Sequence, residues 1–157
     1  MEFETVLYET SGRIARITLN RPERLNAITW QMADDLQSAV EAADADADIH
    51  VVILQGSGKG FCGGYDLKEY AEQHVEGPCT QDIMPWDPTL DFQAMWGITQ
   101  KFMSIWRCSK PVIAKVHGAA VAGGSDIALC CDLIVMADDA RIGYPPARVW
   151  GVPTTMM

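Results

Sequence analysis

The sequence predicts an α/β protein, and three observations carry that prediction. Val51-Val52-Ile53-Leu54 and Val112-Ile113-Ala114-Lys115-Val116 are short apolar runs, the profile of buried strands. Each opens into a glycine-rich stretch, Gly56-Ser57-Gly58-Lys59-Gly60 in one case and His117-Gly118 to Gly123-Gly124 in the other. Residues able to start a helix follow both, so a unit of strand, glycine loop and helix occurs at least twice.

The elements follow in order. Residues 3–8 and 12–19 read as two strands of a hairpin around Ser11-Gly12, with Ala15, Ile17 and Leu19 on one face and Arg16 and Thr18 on the other. Asn20-Arg21-Pro22-Glu23-Arg24 breaks the alternation. Thr29 then caps a helix whose apolar positions Ala33, Leu36, Val40 and Ala43 form one buried stripe, leaving Asp34, Asp35, Glu41 and Asp44 as a solvated face. After the strand at 51–54 and its glycine loop, Asp66 is placed to start a short helix. Pro78, Pro85 and Pro88 argue for a loop over 76–88, followed by a helix over 91–107. A strand at 110–116, a glycine turn, a helix through Ser125 to Cys131 and a strand at 133–136 complete the pattern.

With 157 residues, 48% hydrophobic and 21% charged, the chain has the size and composition of one soluble domain. No apolar run reaches membrane-spanning length, and Met1-Glu2-Phe3-Glu4 lacks a secretory signal's basic flank and apolar core, so a cytoplasmic location is expected. Cysteines at 62, 79, 108, 130 and 131 are odd in number and form no C-x-x-C pair, which indicates neither a disulfide framework nor a zinc site. Twelve basic against 21 acidic residues, a net charge of -9, oppose nonspecific binding to nucleic acid.

A glycine loop between strand and helix lets backbone N–H groups approach an anion closely. Gly58-Lys59-Gly60-Phe61-Cys62-Gly63 satisfies G-x-G-x-x-G, so a dinucleotide site is one reading. That reading needs a second parallel strand, where Gly77-Pro78-Cys79-Thr80-Gln81-Asp82 stands instead. A Walker loop fails because Gly60 follows Lys59. The other reading takes both loops together: the N–H groups of Gly63 and Gly123, facing one point, would make a two-donor oxyanion hole for a carbonyl oxygen.

Over essentially its whole length the chain resembles the crotonase, or enoyl-CoA hydratase/isomerase, family. The segments concerned are Asn20-Arg21-Pro22-Glu23-Arg24-Leu25-Asn26-Ala27, Gly60 to Leu67, Lys110 to Gly118, Ala119 to Ala128, and Cys131-Asp132-Leu133-Ile134. The resemblance implies a spiral of strand-strand-helix units, homotrimeric assembly, and an acyl-CoA or enoyl-CoA thioester substrate in fatty-acid or related acyl-CoA metabolism. No further cofactor and no metal are implied, coenzyme A being part of the substrate. It assigns the oxyanion donors to Gly63 and Gly123. The coenzyme's adenine and phosphates fall near Arg24, Leu25, Ala27, Phe61, Gly63, Tyr65, Asp66, Leu67 and Lys68, with Arg24 and Lys68 as local cations.

The chain departs from the family pattern in three places. Family hydratases use two glutamates to activate water and deliver a proton. The first position holds Asp126, which is one methylene shorter, and its two readings are the catalytic base and an acidic residue at the positive end of its helix. The second holds Pro146, which cannot transfer a proton, so isomerisation through a dienolate is favoured over ordinary hydration. Tyr144 is an alternative proton donor or a packed tyrosine, His117 reads as structural, and Cys62 as small filler beside the hole. The core also explains Trp86, Trp96, Trp106 and Met103. Finally, the resemblance implies that residues 1–157 form an acyl-CoA-binding domain lacking the family's C-terminal helical part. A non-catalytic acyl-CoA binding module is the competing expectation.

Overall fold

The computed structural model describes residues 2–69, 85 and 87–149. Its main sheet has five strands, β1 (Val6–Ser11), β2 (Ile14–Leu19), β3 (Val51–Gly56), β4 (Val112–Val116) and β6 (Leu133–Met136), in the order β1-β2-β3-β4-β6. The hairpin β1-β2 is antiparallel, from Val6 opposite Leu19 to Ser11 opposite Ile14, and Gly12 takes its turn at φ 57°. All later pairings are parallel. Ala15, Ile17, Leu19, Val52, Leu54, Val112 and Ala114 are fully buried, which is the period of two expected of strands with one face on a core. β5 (Ala119–Val121) and β7 (Arg141–Gly143) form a separate two-stranded parallel sheet beside the second glycine loop.

Helix α1 (Trp30–Ala45) begins as the sequence predicts, with the Thr29 hydroxyl accepting the Met32 N–H at 3.0 Å. Its buried stripe contains Ala33, Leu36, Val40 and Ala43, joined by Met32 and Ala39, and packs against β2 and α2 (Pro88–Arg107). Two corrections apply here. Asp35 is buried rather than solvated: its carboxylate accepts from the Thr5 hydroxyl at 2.7 Å, the Thr5 N–H at 2.8 Å, the Glu4 N–H at 3.0 Å and Gln31 at 2.7 Å. Burial alone would raise its pKa, yet these four hydrogen bonds outweigh that and lower it. Pro88 does not lie in a loop but opens α2, where its missing N–H costs nothing, behind an Asp87 side chain that accepts from the Thr89 N–H at 2.8 Å. The rest of the expected 76–88 loop, apart from Pro85 and Asp87, lies outside the described residues, as do Cys79, Trp86 and residues 150–157.

Helix α3 (Gly123–Leu129) starts two residues earlier than the sequence suggests and ends at Cys130. Cys130 and Cys131 are buried as expected. Trp96 and Trp106, expected in the core, are instead exposed on α2, and Leu129, Leu133 and Val135 also stay largely exposed. Among the described residues no helix is long and apolar enough to cross a membrane.

Candidate active site between two glycine loops

The parallel register of β3 and β4 ends both strands at one side of the sheet, so their following loops meet there. They are laced together through their backbones. Phe61 N–H donates to the His117 carbonyl at 2.9 Å, Cys62 N–H to Ala119 at 2.9 Å, and Val121 N–H back to Cys62 at 3.0 Å. This approach explains the glycines. A Cβ on Gly118, already at φ 56°, would lie 2.2 Å from the Lys59 carbonyl oxygen, and one on Gly124 would lie 2.4 Å from that of Cys62. His117 meets the Gly58 carbonyl through Nε2 at 2.9 Å, a structural role.

On its other side the first loop pairs with the segment after the 3-10 turn Pro22–Arg24. Gly63 N–H donates to the Leu25 carbonyl at 2.8 Å. That bond corrects the sequence reading, because an amide hydrogen directed at Leu25 is not directed at a substrate carbonyl. Ile28 N–H donates to Gly64 at 2.8 Å and Asp66 N–H to Ile28 at 2.9 Å, a parallel bridge between Ile28 and Tyr65. In such a bridge the amide of the middle residue points the opposite way. The Tyr65 N–H is therefore the first-loop amide turned from Ile28.

Gly123 of the second loop lies against Tyr65. It opens α3, where a helix offers its first N–H groups no acceptor of its own. The preceding residue, Ala122, holds φ 50° and ψ -126°, a conformation unusual for a side-chain-bearing residue, and its N–H donates to Gly143 of β7 at 3.0 Å. The Tyr65 ring covers Gly123 so closely that a Cβ there would lie 2.8 Å from its Cε2. Asp126 follows one turn on, buried to 6% exposure, with its N–H donating to Ala122 at 3.2 Å. Burial raises the Tyr65 phenol well above its ordinary range, and the Asp126 carboxylate and Tyr144 add to the rise. Burial likewise pushes the Cys62 thiol up to about 12; its S–H donates to the Asn26 carbonyl at 3.1 Å, making it inert filler.

The proposed coenzyme residues separate into two sets. Leu25, Leu67 and Arg24 are exposed, and Arg21, Arg24, Asp66, Lys68 and Glu69 line one surface depression. Phe61 is fully buried in the core, so its side chain is no ligand contact. Helical backbone does begin at Leu67, directly after Asp66, as expected. The Asp66 carboxylate itself is buried between two guanidinium groups, at 2.9 Å from Arg24 and 3.0 Å from Arg21. Its hydrogen bond to Arg24, then that to Arg21, outweigh burial and hold its pKa at about 2. Sequence reasoning missed Arg21, which also donates to the Ala27 carbonyl at 2.6 Å, and Asn26, whose side chain holds the first loop. Pro146 is buried at the start of α4 (Pro146–Val149), two residues beyond the half-buried Tyr144.

Two glycine loops laced together by their backbones, with Tyr65 packed against Gly123 and a buried Asp126 one turn further on, define the class: an α/β protein with its candidate site at the carboxyl ends of parallel strands. The chain belongs to the enoyl-CoA hydratase/isomerase family, whose model matches residues 9–157. It is 37% identical over 153 residues to a "Probable enoyl-CoA hydratase" of Mycobacterium bovis, covering 98% of this chain and 54% of that protein. A "Probable enoyl-CoA hydratase" of Rhizobium meliloti is 36% identical over 157 residues, with the same coverage. Among solved structures, an enoyl-CoA hydratase from Mycobacterium smegmatis superposes with a TM-score of 0.86 at 46% identity, over 97% of this chain and 53% of that one. The chain thus spans about half the length of the relatives it matches.

Proposed function

We propose that this chain binds an acyl-CoA or enoyl-CoA thioester and stabilises its enolate between the amides of Gly123 and Tyr65, with Asp126 as the base. The observation that supports this reading is the backbone lacing of the two loops, with Tyr65 packed against Gly123, three residues before the buried Asp126. Asp126 removes a proton from the carbon α or γ to the thioester, the carbonyl oxygen takes the negative charge under the two N–H groups, and the proton returns at the other carbon. This is an isomerisation that needs one base. Pro146 at the second carboxylate position weighs against two-glutamate hydration, although a divergent hydratase using Tyr144 as donor shares the same enolate. Arg24, Leu25, Ala27, Leu67 and Lys68 are assigned to the coenzyme, with no cofactor besides it. Assembly as a homotrimer, a cytoplasmic location and a part in fatty-acid or related acyl-CoA metabolism belong to the same reading.

The test is deuterium uptake from D2O into an enoyl-CoA, followed by mass spectrometry. Uptake at the α or γ carbon that falls about 100-fold or more in Asp126→Asn supports the enzyme. Pro146 also favours a second reading, a non-catalytic acyl-CoA binding module. Tight binding without exchange would establish that module and overturn the enzyme.

A further inference from the structure

Asn26 is fully buried and sits at φ 54°, a left-handed conformation that asparagine tolerates better than most residues. Its Nδ2 donates to the carbonyls of Ser57 at 2.8 Å, Gly60 at 3.0 Å and Phe61 at 3.1 Å, so two hydrogens are shared among three acceptors. Its Oδ1 accepts from the Arg21 N–H at 2.9 Å and the Ser57 hydroxyl at 3.3 Å. Its own carbonyl accepts the Cys62 S–H.

The direction of these bonds matters as much as their number. In a trans peptide the C=O and the following N–H point opposite ways. With the Gly60 and Phe61 carbonyls drawn to Asn26, the N–H groups of Phe61 and Cys62 must face away from it, and these are the two that dock on His117 and Ala119. One side chain therefore sets two consecutive peptide planes that join the first loop to the second. Leu25 and Ile28, close to it in sequence, set Gly63, Gly64 and Asp66 in the same way and leave Tyr65 as the residue whose amide is turned from Ile28.

We infer that Asn26 is the positioning residue of the carbonyl site: without touching substrate, it fixes the first-loop amide at the distance from the Gly123 amide that lets both bond one oxygen. The inference rests on the enolate reading above. An aspartate in its place would turn a carboxylate oxygen toward three carbonyls, and an alanine would leave those buried carbonyls without their donor.

The test uses butyryl-CoA labelled with 13C at the thioester carbonyl, bound to the protein and followed by infrared difference spectroscopy. In the wild type the C=O stretch moves to lower frequency on binding. Asn26→Ala is expected to lose at least half of that shift while affinity for free coenzyme A stays within about threefold, and kcat for isomerisation falls about 100-fold with KM little changed. Thr29→Ala, which removes the α1 cap and not the loop contacts, lowers stability and keeps the full shift. Should Asn26→Ala yield no folded protein, Asn26→Gln retains the amide one methylene out of place and is expected to lose part of the shift. A full wild-type shift in whichever Asn26 variant folds overturns the inference. An unshifted carbonyl in the wild type overturns the enolate reading itself.

Discussion

The two glycine loops reach the same place by different physical means. The first, from Ser57 to Asp66, is held by polar groups outside it: Asn26 on three carbonyls, Leu25 and Ile28 on its backbone, and two arginines on Asp66. The second, from His117 to Asp126, is held by the absence of side chains, since Gly118 and Gly124 touch the first loop's carbonyls where a Cβ would stand. A clamp of hydrogen bonds tolerates small displacements, whereas a steric fit does not. The difference predicts that the second loop is the more brittle one under substitution and the first the more sensitive to pH.

The largest effect should come from Gly124→Ala, which sets a Cβ 2.4 Å from the Cys62 carbonyl oxygen and 2.8 Å from its Cβ, both fixed by the core. A loss of about 3 kcal/mol is expected in urea denaturation. A loss under about 1 kcal/mol would show the second loop to be as yielding as the first. Next comes Asp66. Its folded-state pKa of about 2 lies below the ordinary 3.8, so its contribution is complete above that ordinary value and disappears as pH falls from about 4 to about 2. Asp66→Asn should cost on the order of 2 kcal/mol at neutral pH and flatten the acid limb of the melting-temperature profile. An unchanged limb would remove the arginine pair from the first loop's support. Smaller again is the effect on Cys62, which should resist alkylation by iodoacetamide at pH 8 in the folded protein and react on unfolding, because its thiol is buried and raised to about 12. Rapid labelling of the native chain would mean that the loops part readily. The smallest effect is Ala122→Gly: relief of the strained φ of 50° should stabilise the second loop by a few tenths of a kcal/mol in the same denaturation experiment. A destabilisation would show that the alanine methyl contributes packing beyond its strain.

Much of this was legible before any coordinates. Apolar runs followed by glycines mark β3 and β4, central parallel strands with one face fully buried and most of the other half-buried, and Thr29 marks a helix start because a hydroxyl there has one favoured acceptor role. The misses share a cause. Asp35 occupies the polar face of α1 by periodicity, but Thr5 and Glu4 bring backbone donors to that face from thirty residues away in sequence, and no local pattern carries that. Gly63 looks like the natural donor because glycine lets a backbone approach closely. Which amide is turned from the Leu25–Ile28 segment depends on a pairing with Ile28 that only the folded chain displays. The three-residue strands β5 and β7 are too short to leave a period. Asn26 and Arg21 stood in a recognised motif, yet their roles require knowing what lies opposite.

The parallel register described for the sheet also dictates an order of assembly. Among the described strands only those of the β1-β2 hairpin are joined by a tight turn; β2 must wait for α1 to be traversed before β3 can join, and Val52 meets Val112 only after all of α2 has been threaded. Closing such long loops costs entropy before any contact repays it, so the hairpin and α1 should form early and β4 late. The Asn26 clamp is then made when β3 arrives, and it waits, already shaped, for a second loop that comes into register last.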